Sequence, residues 1–498
     1  MAIAVDEVTP KAASLRQTFR MRDLVPLSVS SVGPVFSVAA TGGVMAADAG
    51  WWTLPAIAIL ALPFVICAFV FRLLNRHFPH AGASYHWSAR IIGHNTGRYQ
   101  AWILILAYFF SIPPIAIPAS AYTLALIAPH YNAPPVVRLA LALFWIVFAA
   151  VPLLLGARPV ARITQAFFAF EVLSLIAFTV LGLVEMRHLS VPVHFGAPPI
   201  GGILLVAVIA ATIMDGWEID SYAAEESQRP RTDPGKGGII GVFGALLFYA
   251  ILYPLMMLET PLSHLAGSVD PLAVWSQRLV PGAPWLMLVP ILCSSAGAMW
   301  LVAFTLIRAM YAMGRENMIP PVFAKLNRYQ VPHVATIAVF GTAALVVVFQ
   351  LFVSSLAAFF SLVLSAAGFF LVAEFFLDSL TAIVFLTVGH RKIPGGQPLR
   401  SAAHRLLLAG SVVSGLIMGG LLVAFFIYGP AGIGHGIDQS IAVLLGIGFA
   451  FAWWARRRTD RVVVFPGHEV AQSECSTAGR APLISSRRLR RYGRRTGG

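Results

Sequence analysis

Met214-Asp215-Gly216-Trp217-Glu218-Ile219-Asp220 interrupts an apolar approach that begins near Ile203. Three carboxylates fall within six residues. At the centre of a bilayer each costs about 2.5 kcal/mol or more. Such acids persist only where they face water, a partner or a ligand. Gly216 offers a point at which a helix can break. The bland reading is a helix that ends here, leaving its acids at the interface. Ser221-Tyr222-Ala223-Ala224 follow before the charged loop, which favours a break inside the span.

The membrane setting comes from composition. The chain has 498 residues, 58% of them hydrophobic and 11% charged, against roughly 25% charged in soluble domains. Mean hydropathy is +0.79. Too little polar side chain exists to cover a water-facing surface of this size, so a soluble domain, a coiled coil and a disordered chain are excluded. About 20 apolar residues are needed to cross a bilayer as a helix. Twelve runs qualify: 25–46, 51–74, 98–127, 136–155, 161–186, 200–225, 236–258, 284–310, 333–353, 356–388, 404–428 and 437–455. The long third and tenth runs suggest tilt or interfacial extension. The runs are continuous rather than alternating, which excludes a membrane β-barrel.

Net charge is +14, which in a soluble protein would suggest a nucleic-acid partner. Its distribution says otherwise. With the N-terminus inside, only Arg138, Arg187 and Arg278 of the 35 basic residues fall outside. That asymmetry is the positive-inside signature and places both termini in the cytoplasm. Span interiors hold six acids (Glu171, Asp215, Glu218, Asp220, Glu374 and Asp378) and no base. No secretory signal precedes the first span. The compact loops suit a plasma (inner) membrane. The basic tail at 456–498, with Arg487-Arg488-Leu489-Arg490-Arg491, reads as disordered and suited to anionic lipid.

The first span also carries a break signal, Ser30-Ser31-Val32-Gly33-Pro34-Val35-Phe36-Ser37. Two readings stand: a proline kink, or an unwound stretch whose backbone groups bind a polar ligand. Breaks in spans one and six are five spans apart. That spacing fits an inverted repeat, about 25–186 against 200–388, with two extra helices at 404–455. A half-helix N-terminus suits a carboxylate, while unwound carbonyls and nearby acids suit an ammonium. A site with both poles reads as one for a zwitterionic amino acid.

Four segments now resemble a known family, the amino acid–polyamine–organocation superfamily. They are the span-one break; Phe78-Pro79-His80-Ala81-Gly82-Ala83-Ser84-Tyr85-His86-Trp87 after span two; Gly216-Trp217-Glu218 with Ala224-Glu225-Glu226-Ser227-Gln228-Arg229-Pro230-Arg231; and Arg308 through Pro320 after span eight. The likeness covers about residues 20–455. It implies an all-α transporter of about twelve helices with a leucine-transporter-like inverted repeat and discontinuous helices one and six. It implies alternating access for an amino acid or related amine, with protons as the usual coupling ion. By this resemblance Ser31, Gly33, Pro34, Val35, Phe36 and Ser37 face the substrate from one side, and Asp215, Gly216, Trp217 and Glu218 from the other. Two departures stand out. Pro34 replaces a small residue, and Asp215 replaces an apolar or aromatic one. Asp215 fits a cationic amino acid or polyamine, or a structural partner.

Glu171 in span five is either a proton-binding group, by analogy with an ionisable residue in relatives, or a carboxyl bonded to a neighbouring helix. Ser294 and Ser295 leave sodium coupling open. Asp220 belongs with the coupling and gating candidates. Glu225 and Glu226 form a gate with Arg308 or Arg315, or else a solvated cap. Glu374 and Asp378, one turn apart, read as structural. Tyr85 and Trp87 read as interfacial, and Tyr108 and Trp300 as packing. Three scattered cysteines make no disulfide framework or metal set. Neither a phosphate-binding GxxxxGK[ST] nor an HExxH or GxSxG is present, so no cofactor, metal or enzymatic activity is expected. A non-transporting membrane sensor or subunit is the alternative. Oligomeric state is not legible.

Overall fold

The computed structural model describes residues 15–266, 268–353, 355–388 and 401–459. Most of the N-terminal segment, the basic residues at 391–400, Cys475 and nearly all of the basic tail lie outside the described residues. Every named element is helical. In chain order they are α1 (Met21–Val32), α2 (Pro34–Ala49), α3 (Thr53–His77), α4 (Ala83–Ile91), α5 (His94–Ser111), α6 (Pro113–Ile127), α7 (Pro135–Leu155), α8 (Ala157–Leu189), α9 (Ile200–Met214), α10 (Ile219–Tyr222), α11 (Asp233–Glu259), α12 (Leu262–Ala266), α13 (Pro271–Leu279), α14 (Trp285–Arg315), α15 (His333–Val348), α16 (Leu356–Thr387), α17 (Ala402–Gly432) and α18 (Ile437–Thr459).

Continuous apolar runs become helices because lipid offers backbone groups no partner, and a helix satisfies them internally. Ten helical stretches among the described residues are long and apolar enough to cross a membrane. The first, Met21–His77, takes in both the first and second runs, and Ile200–Met214 is a shorter apolar helix of 15 residues. The long third run is parted at Ile112, where Pro113 and Pro114 open α6. A double proline removes two amide donors at one turn, so the chain bends there.

Burial separates centre from rim. The most apolar window of α14 is 83% buried, whereas that of α18 is 17% buried. α14, α5 and α16 form the interior, and α7, α8, α17 and α18 present Leu, Val and Phe outward. α4 turns back into the bundle against α5 and α16. Tyr85 and Trp87 are therefore fully buried rather than interfacial: Trp87 Nε1 donates to Phe78 O at 2.8 Å, and Tyr85 OH to Glu316 Oε2 at 3.1 Å.

Candidate functional site

The first break is a single residue. Gly33 adopts φ 56°, ψ 59°, closing α1 and opening α2. This left-handed conformation is cheap only for glycine. Pro34 sits at the first position of α2, where its missing N–H costs nothing. Glycine makes the break and proline starts the next helix. At the second break α9 stops at Met214, Asp215 is extended, and Gly216 takes φ 116°. The breaks abut: a Cβ on Gly216 would lie 2.7 Å from the Ser31 carbonyl carbon, and one on Gly33 2.9 Å from Ala298 Cβ.

Both breaks are capped by the chain's own carboxylates. Glu171 Oε1 accepts from Val35 N at 3.1 Å and from Ser294 Oγ at 2.6 Å, while Phe36 N donates to Ser294 Oγ at 3.1 Å. Across the site, Gly216 N donates to both oxygens of Glu218 at 3.0–3.1 Å, and Tyr108 OH donates to Glu218 Oε1 at 2.9 Å. A carboxylate at a helix N-terminus satisfies free amides and the positive end of the dipole. Trp217 does not face the cleft. It is fully buried against Phe71 and Phe375, with ring centroids 5.1 and 5.8 Å away. Trp300 is likewise buried and donates to Thr164 Oγ1 at 3.0 Å. Ser295 donates to Ile291 O within its own helix.

Between the breaks lies a narrow cleft, closed down to about 30 Å³ in this conformation and lined by Ser31, Ser37 and Asp215 among others. Deeper toward α16, Glu374 and Asp378 sit in a buried hydroxyl network. Tyr222 OH reaches Glu374 Oε1 at 2.8 Å, Ser84 Oγ donates to Asp378 Oδ2 at 2.9 Å, and Gln100 Nε2 to Asp378 Oδ1 at 2.8 Å. Tyr222, Ser84 and Gln100 carry no sequence signal for this role, because they lie on three separate helices and meet only through packing. Asp220 is buried with both carboxylate oxygens unpartnered, beside Gly237.

One end of the bundle is sealed by ion pairs. Arg308 meets Glu226 in a fork, Nε to Oε2 at 2.9 Å and Nη2 to Oε1 at 3.1 Å. Arg315 meets Glu225, whose Oε1 also accepts from Ala81 N. The segment preceding α1 is strapped across this end, with Thr18 N and Phe19 N donating to Glu226 O at 2.8 and 2.9 Å. Against burial, which favours the neutral acid, hydrogen bonding and charge from Arg315 hold the Glu225 carboxyl below its usual range.

Beside this seal, His80, His86 and Glu316 bring three ligand-type atoms within 4.8 Å of one another. The imidazoles are stacked at 3.7 Å and 14°, so no single ion can lie in both ring planes. The trio is better read as a charge cluster. Burial opposes ionisation of Glu316, yet the His86 hydrogen bond and neighbouring positive charge, that of Arg315 included, hold it to about 2. Burial first, then the neighbouring His86 charge, push His80 well below its usual 6.5. Below pH 6.5 the unfolded chain takes up a proton at His80 that the folded chain refuses, so stability falls as pH drops through 6.5. Glu316 acts in a lower window: its contribution is present above 4.5 and is lost as pH falls toward 2. Between pH 6.5 and 5, thermal unfolding in detergent should therefore show a loss of up to about 1.4 kcal/mol per pH unit from His80. His80→Gln should flatten that slope, and an unchanged slope would remove His80 as its source.

Among curated proteins, the chain is 23% identical over 466 residues to the branched-chain amino acid permease BcaP of Lactococcus lactis subsp. cremoris (strain MG1363), covering 89% of this chain and 95% of that one. It is 24% identical to the L-methionine/branched-chain amino acid exporter YjeH of Escherichia coli (strain K12), over 63% of this chain and 74% of that one. It is also 24% identical to the methylthioribose transporter of Bacillus subtilis (strain 168), over 64% and 71%. The family model described as amino acid permease matches residues 21–453, across both helix breaks and the sealed end, so the chain belongs to the amino acid permease family and is a multi-pass membrane transporter rather than an enzyme.

Proposed function

We propose that the protein is a secondary active transporter that moves an amino acid or related amine by alternating access, through proton coupling or exchange. The observation that carries this reading is the pair of abutting helix breaks around a cleft with unpartnered acceptors at Asp215 and Ser31. Substrate sits between residues 31–37 and the second break at Asp215, Gly216 and Glu218, with Trp217 packed behind it. One helix bundle rocks against the rest around the substrate, within a fold whose two five-helix repeats span 25–186 and 200–388. Glu225, Glu226 and Arg308 gate the sealed end, which faces the cytoplasm of the plasma (inner) membrane together with both termini. Asp220 supports the same end from α10. The test is uptake by the full chain in proteoliposomes, screening labelled amino acids and amines with a pH gradient and then with sodium. Carrier-mediated flux of at least one solute is expected. The absence of flux for every amine and zwitterion would favour a sensor or subunit instead.

Glu171 is the proposed proton-coupling group, since its carboxylate joins α8, α14 and the N-terminus of α2 at one point. Glu171→Gln keeps an acceptor for Val35 and Ser294 but removes the charge. Proton-driven uptake should fall about tenfold or more, in line with site-to-site couplings of 1–3 kcal/mol, while substrate exchange persists. Retention of the wild-type pH profile would place coupling elsewhere.

A further inference from the structure

The cleft between the breaks is rich in acceptors and almost empty of donors. On the backbone side, Gly33 N donates to Ser30 O at 3.1 Å, Pro34 has no N–H, and Ser37 N donates to Gly33 O at 2.8 Å. Val35 N and Phe36 N are taken by Glu171 and Ser294. No amide in the first turn of α2 remains for a ligand. The hydroxyls follow suit. Ser37 donates to Val32 O at 2.8 Å, Thr41 to Ser37 O at 2.7 Å, Ser111 to Ala107 O at 2.8 Å and Thr212 to Ile209 O at 2.8 Å. Among the polar side chains lining the cleft, only Ser31 Oγ and Asp215 Oδ1 are buried without a partner. Asp215 is the one ionisable residue in that lining, and no base joins it.

Such a lining treats the two ends of an amino acid unequally. An ammonium finds Asp215 Oδ1, Ser31 Oγ and the second lone pair of Val32 O. A carboxylate finds one hydroxyl and a nearby negative charge, so burying it there leaves most of its lost hydration unreplaced. The remaining wall is apolar, with Phe36, Ile115, Val302, Phe360 and Leu364, and gives a second ammonium no partner. Resting on the transporter reading above, we propose that this cleft selects a primary monoamine with an apolar tail over the α-amino acid of the same side chain.

The test is direct binding to the detergent-purified full chain, because a neutral amine crosses lipid unaided and would blur a flux assay. Tritiated 3-methylbutylamine is the probe, competed by leucine, leucinamide and putrescine. The amine and leucinamide should bind at least about tenfold more tightly than leucine, a step of roughly 1.4 kcal/mol. Putrescine should also bind at least about tenfold more weakly than the amine. Leucine binding as well as the amine would overturn the proposal. So would leucinamide binding as weakly as leucine, because size rather than charge would then be selected. Absence of amine binding would overturn it as well. Proteoliposome uptake of amino acids is measured in parallel, so that failure of this proposal is told apart from failure of the transporter reading.

Discussion

Asp215→Asn lowers substrate binding and uptake by about 10- to 100-fold while leaving the fold intact or slightly more stable. The size follows from the position. Asp215 is 3% exposed, lines the cleft, and leaves Oδ1 without a partner. A hydrogen bond to a charged group contributes about 1.5–3 kcal/mol, the equivalent of that loss. The sign on stability is opposite because Asp215 and Glu218 share one turn, and no ion pair among the described residues reaches either carboxylate. Two buried carboxyl groups this close cannot both ionise, and the amide removes the cost of holding one of them without a counter-ion. Ligand binding and thermal unfolding, measured on the same preparation, separate the two effects. Unchanged binding with unchanged stability would move the substrate away from the second break. Loss of both together would make Asp215 a structural residue.

The legible parts of this molecule were those written locally. Hydropathy marks the helices because each run buries itself by its own composition. The second break shows because glycine and three acids crowd seven residues at membrane depth. At the first break the location was legible but the agent was not: Pro34 looks like the disrupter, whereas the left-handed turn belongs to Gly33. Ile112-Pro113-Pro114 marks a bend in the third run, where run length alone suggests tilt or interfacial extension. The remainder is non-local. Glu171 and Ser294 are 123 residues apart and meet only because α8 and α14 pack together. The partners of Asp378, Ser84 and Gln100, come from α4 and α5, and nothing in the spacing of any of the three anticipates them. Tyr85 and Trp87 have the composition of an interfacial segment. Their burial depends on α4 folding back against α16, which no local pattern encodes.

Arg308→Ala is expected to give the largest loss of stability in the protein, about 3–5 kcal/mol, because it strands a buried Glu226 charge. Arg308 is 1% exposed, forks onto both Glu226 oxygens, and stacks on Phe304 at 3.8 Å. Phe304 in turn packs against Phe19 at 6.2 Å, and Phe19 is tied to the Glu226 carbonyl. One side chain thus joins α14, the turn after α10 and the strap before α1. The double variant Glu226→Gln with Arg308→Met removes both charges together, so most of the lost stability should return. Gating should not return with it, since an apolar contact no longer fixes the closed register. A single cysteine in place of the buried Ser28, with Cys67, Cys293 and Cys475 changed to serine, reports opening of this end through its rate of maleimide labelling. Labelling should quicken several-fold in Arg308→Ala and stay fast in the stable double variant. Wild-type labelling in the double variant would confine the pair to holding the fold. Fast labelling in a protein of restored stability would leave the ion pair as the latch whose release opens this end.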